Sequence, residues 1–139
     1  MTVNETFDER KRRELDAADR QREENVRLQR ERQYSTFFTY LVRIFQQGNT
    51  PSTEARVRAG LSVWASKELL ALFEQWLEMI QPIKDRGGKI FPAERSQLQL
   101  LVGTMAVQVR EDLGIWGEAS PTAEDVAAAL FDDFKRRAN

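Results

Sequence analysis

"RERQYSTFFTYLVRIFQQ", residues 30–47, is where a chain that has been mostly charge acquires a face that can be buried. Phe37, Leu41, Ile44 and Phe45, with Tyr34 and Phe38 beside them, recur at the three-and-four spacing of an amphipathic helix. Upstream, residues 8–33 contain neither proline nor glycine and are rich in helix formers. Nothing separates the polar stretch from the apolar one, so one helix is expected from about Asp8 to Gln46. At 1.5 Å per residue it would measure about 58 Å, more than a small domain can cover. Gly48 stops it, and "GNTPS" makes the turn.

Downstream the same spacing recurs. A second helix is expected to start near Ser52 or Thr53, capped by a hydroxyl, with Val57, Gly60, Leu61 and Trp64 on one side. After a bend, Ser66 caps a third helix whose stripe is Leu69, Leu70, Phe73, Trp76, Leu77 and Ile80, ending around Pro82. "KDRGGK" reads as an exposed reversal. Pro92 opens a fourth, central helix carrying Leu98, Leu101, Val102, Met105, Val109 and Leu113, with Gly114 as its left-handed cap. "SPTAEDVAAALFDDFKRR" reads as a terminal helix with Val126, Leu130, Phe131 and Phe134 inward and its basic end answering the helix dipole. Gly60 and Gly103 fall inside helices, where glycine costs about 1 kcal/mol against alanine; either a neighbour passes close to one or both, or the cost is simply tolerated. No strand alternation or internal repeat is visible. The fold class is all-α: a compact bundle of four to five helices (residues 34–139) with a long charged helix (residues 1–33) protruding from it.

Composition narrows function by exclusion. The 139 residues include no cysteine and no histidine. Disulfides, thiol nucleophiles, conventional zinc sites and the commonest general base near neutral pH are thereby removed. No oxygen-ligand spacing of an EF-hand occurs in "GEASPTAEDVAAAL" or "LFDDFKRR". We therefore expect no cofactor, no metal, no small-molecule substrate and no enzyme. No apolar run approaches the roughly 20 residues of a membrane span, and the start shows no secretory segment; the cytoplasm is the expected compartment.

The charged helix invites a nucleic-acid reading, which its charges weaken. Between Asp8 and Arg32 nine basic residues stand against eight acidic ones, and interleaved carboxylates cancel the field that phosphate binding needs. Only Arg10, Lys11, Arg12 and Arg13 form a basic run. A coiled-coil seam fails as well, since the register through Leu15 continues Ala18, Arg22, Asn25 and Gln29. Acid-first pairs four apart, Glu9 with Arg13, Asp16 with Arg20 and Glu23 with Arg27, add a few tenths of a kcal/mol each. The segment reads as a spacer or docking arm for a protein partner or a second copy, with nucleic acid as the alternative partner.

The most motif-like stretch is "VREDLGIWGEAS". Functionally, Arg110 would hold an anionic group of a partner, with Asp112 and Trp116 alongside. Structurally, Leu113 packs, Gly114 caps, Asp112 bonds locally and Trp116 covers the end of the bundle; this second account carries more weight. Taken together, "RERQYSTFFTYLVRIF", "WASKELLALFEQWLEMI" and "VREDLGI" resemble a diffuse group of small bacterial helical proteins that share a charged helix, an S-x-E-hydrophobic helix and a late R-x-D-L-G helix end. The residues carrying the resemblance are Ser66, Arg110, Asp112, Leu113 and Gly114. It implies the helical architecture and no particular activity. Many members of the group carry a membrane-spanning helix before the charged segment, so the resemblance adds membrane association through such an anchor as a second expectation for location.

Overall fold

A computed structural model describes residues 6–46, 48–115, 117 and 120–136. Five helices are present: α1 (Phe7–Arg43), α2 (Pro51–Trp64), α3 (Lys67–Asp85), α4 (Pro92–Asp112) and α5 (Ala123–Leu130). The described residues contain no strand. The expected long helix is continuous; it starts one residue before Asp8, where Thr6 and Glu9 form a reciprocal capping box, and ends at Arg43, three residues short of the expected Gln46. At its other end Gly48, at φ 75°, donates its N–H to the Arg43 carbonyl.

The core is built where the sequence placed the apolar stripes. Phe37, Leu41, Leu69, Trp76, Leu98 and Met105 are fully enclosed, each contributing roughly 1.5–3 kcal/mol by its burial. Ring contacts give the direction of packing: Phe73 meets Phe37 and Tyr40, and Trp76 meets Phe45. The contacts advance along α3 as they advance along α1, so the two run parallel. Helix α2 returns antiparallel against α1, and α4 packs between α3 and α5. Tyr40 belongs to the buried face of α1, although the sequence reading had not placed it there.

Three boundaries beyond α1 also differ from expectation. Thr50, rather than Ser52 or Thr53, caps α2, because Pro51 takes the first helical position and Thr53 supplies the bonded N–H. Helix α3 runs past Pro82 to Asp85, burying Ile83, and reverses through Gly87 and Gly88, both at positive φ. Helix α5 ends at Leu130. There Phe131 takes an extended backbone and drops its ring against Phe45, with centroids 4.7 Å apart, while Leu130 is left exposed. Ala127 is the enclosed residue of α5, and the basic end does not answer the dipole: Arg136 folds back to Asp125 in the first turn.

Both helical glycines mark close approaches. A β-carbon on Gly103 would run into the backbone carbonyl of Ala123, at the start of α5, and one on Gly60 would meet the side-chain amide of Gln33 on α1.

Candidate functional site

The long helix divides into an arm and a root. Residues 6–28 are exposed throughout; from Phe7 to Arg22, ahead of the first α1 residue that lines a groove with α4, that is about 24 Å of helix. Phe7, Leu15, Val26 and Leu28 are apolar and uncovered. Leu15 and Val26, eleven residues apart, fall within about 20° of one another around the axis. The ion pairs of the arm are partly different from those expected. Arg22 pairs with Asp19 at 2.9 Å, and Arg27 turns to Glu31 at 3.5 Å rather than to Glu23. These are exposed pairs, each worth little.

The root is fixed by polar bonds from three directions. Arg30 Nε donates to the carbonyl of Trp64, the last residue of α2, at 2.7 Å. One turn on, the buried Tyr34 hydroxyl donates to Asp112 Oδ2 at 2.7 Å and accepts the Ser66 N–H at 3.2 Å. Ser66 Oγ, the cap of α3, accepts from Leu69 N and donates to the same Asp112 oxygen at 2.6 Å. Gln108 Nε2 donates to the other oxygen, Oδ1, at 2.9 Å. Asp112 thus collects the root of α1, the start of α3 and the end of α4. Burial, and then the hydrogen bond to Asp112, push the Tyr34 phenol up to about 12.

Between α1 and the end of α4 lies a groove lined by Glu23, Val26, Arg27, Arg30, Asp112 and Leu113, about 490 Å³ in volume. It joins the uncovered Leu15–Val26 face of the arm to the bundle.

The residues singled out from sequence separate into different places. Asp112 sits at the root; the expected local bond is there, from Gln108, and to it are added the long-range bonds from Tyr34 and Ser66. Arg110, two positions earlier, points about 200° away around α4. It lies half-buried beside Val107, Ile115 and Pro121, with no ion pair among the described residues. Its carbonyl accepts the Ile115 N–H, closing α4 together with Gly114 at φ 71°. The structure does not bring Arg110 and Asp112 together. Trp116 lies outside the described residues. Arg10, Lys11, Arg12 and Arg13 are exposed on the first turns of the arm, far from the root.

Tyr34 is the participant that sequence reading missed as a polar group; its aromatic ring explained its presence, and its hydroxyl had no visible partner within 30 residues. Among the described residues no group of three or more acidic side chains is arranged to hold a metal ion, and no helix is long and apolar enough to cross a membrane. No family model, no curated protein and no solved structure matches the chain.

Proposed function

We propose that the protein is a non-enzymatic interaction module, in which a helical arm held rigidly at its root docks another protein or a second copy of the chain. The observation that carries this is the pairing of an uncovered arm, with Leu15 and Val26 on one face, with a root tied to α2, α3 and α4 through Arg30 and Asp112. A tie of that kind restricts the swing of the arm and so lowers the entropy cost of docking. The groove beside Val26 continues the apolar face onto the bundle and ends on polar groups, the make-up of a modest interface.

Sedimentation velocity over a wide concentration range tests the self-association branch. The expected result is a reversible shift towards larger species that Leu15→Asp combined with Val26→Asp abolishes, while the circular dichroism of the bundle is retained. Identical monomers for wild type and variant at every concentration overturn that branch and leave a heterologous protein partner.

The second reading, nucleic-acid binding, rests on Arg10, Lys11, Arg12 and Arg13 at the exposed end of the arm. Titration of the chain with duplex DNA and single-stranded RNA at low salt distinguishes the two. Tight binding that falls steeply with added salt favours nucleic acid; no binding at low salt removes it.

A further inference from the structure

A cleft of about 470 Å³ lies at the end of the bundle away from the arm, between the last turns of α1 and α3 and the start of α2. One wall is apolar, with Ile80 and Ile83 of α3 contributing to it, and the other carries the polar atoms of Tyr40, Asn49, Glu54 and Lys84. Two of these have an unmet requirement. Tyr40 is 2% exposed, and its hydroxyl proton has no acceptor. Asn49 donates Nδ2 to the Tyr40 carbonyl at 2.9 Å, which satisfies one of the last carbonyls of α1 and fixes the orientation of the amide. Its Oδ1 is left as a buried acceptor with nothing to accept. Behind Tyr40, the enclosed Trp76 indole N–H lies against the phenol oxygen, which can accept from it and keep its own proton to donate.

Buried polar atoms are paired in the great majority of cases. Two unmet atoms lining one cleft, the Tyr40 hydroxyl proton and Asn49 Oδ1, are the mark of a place prepared for something else. The volume is many times the roughly 30 Å³ share of one water molecule. Asn49 Oδ1 can only accept and the Tyr40 hydroxyl can donate, so the complementary head must both donate and accept. At the rim the Glu54 carboxylate already engages both cations, Lys84 and, at 3.0 Å, Arg58. A charged head would have to compete with that existing ion-pair cluster, whereas an uncharged one would leave it intact.

We propose that this cleft binds a small uncharged amphiphile, its donor–acceptor head, a primary amide or a group of the same pattern, between Tyr40 and Asn49 and its apolar body against the isoleucine wall. The site is separate from the arm and stands or falls independently of the docking function.

The test is an NMR titration of the full chain with hexanamide, following the indole N–H of Trp76 and the side-chain amide of Asn49, with hexanoate as the charged comparator. Hexanamide is expected to move both signals saturably with an affinity of about 1 mM, and hexanoate to bind several-fold more weakly. Tyr40→Phe keeps the ring and removes only a hydroxyl whose proton has no acceptor, so it should fold normally and weaken hexanamide about tenfold. Ile90→Trp, which fills the cleft from the connection after α3, should abolish binding. Absence of a saturable shift, equal affinity in Tyr40→Phe, retained binding in Ile90→Trp, or tighter binding of hexanoate would each overturn the proposal.

Discussion

Asp112 is the residue on which most of the architecture converges, since its two oxygens accept from Tyr34, Ser66 and Gln108. Removing the carboxylate leaves buried donors from two other helices with no acceptor, and such orphaned groups cost about 1–3 kcal/mol each. Asp112→Ala is therefore expected to lower the unfolding free energy in urea by about 3 kcal/mol. Ser66→Ala, which removes both a cap and one donor, should cost about 1–2 kcal/mol. A double-mutant cycle of Tyr34→Phe with Asp112→Ala should return a coupling of at least 0.5 kcal/mol, against near-zero for Tyr34→Phe with a distant Arg136→Ala. Titration gives an independent reading of the same bond. The Tyr34 phenol is raised to about 12 in the fold from an ordinary value near 10, and that of Tyr40 is raised by burial. Their protonated forms are favoured by folding, so the associated stability is complete below pH 10 and is lost as the pH rises towards 12. Alkaline unfolding and the tyrosinate absorbance should appear together above pH 10, rather than the absorbance appearing first.

Close helix contacts decide what each element tolerates. Gly103 faces a backbone carbonyl at the start of α5, which cannot swing aside; Gly60 faces only the flexible end of Gln33. Gly103→Ala is expected to destabilise by about 2 kcal/mol through displacement of α5, whereas Gly60→Ala should be neutral or stabilise by up to about 1 kcal/mol through helix propensity. Thermal melts of the two variants against wild type make the comparison. Helices of this kind announce themselves through local chemistry. Ser66, Pro92 and Gly114 do in the structure what their positions in the sequence dictate, and the apolar spacing of α1, α3 and α4 names most of the core. The end of α5 was not legible in that way. Phe131 continues the helical spacing, but its ring reaches Phe45 only through extended backbone, and Asp133 is drawn to Arg95 and Gln99 on α4. Likewise the bonds among Tyr34, Ser66 and Asp112 span 32 to 78 positions of chain. No periodicity encodes contacts at such separations.

The molecule as a whole has two polar ends joined by an aromatic core. At the root end the arm is secured. At the other, Glu54 meets Lys84 and Arg58, and Arg95 meets Asp133. Burial raises the Glu54 carboxyl, but hydrogen bonds from Lys84 and Arg58 outweigh it and hold it below its usual value; bonds from Arg95 and Gln99 do the same for Asp133. Lowered carboxyl values contribute stability that is present above about pH 4.5 and lost as pH falls through the folded values. The urea midpoint should accordingly decline below pH 4.5, and Arg95→Ala should flatten part of that decline. A further consequence follows from the unbroken run of α1 from core to tip. Because no joint separates the two, the compass bearing of the tip relative to the bundle is counted out in residues. One residue inserted between Arg20 and Gln21 would turn the tip by about 100° while moving it only about 1.5 Å, and seven would bring it back to within about 20°. Whatever the tip faces is therefore specified by a phase, and binding that vanishes with one added residue and returns with seven would read that phase directly.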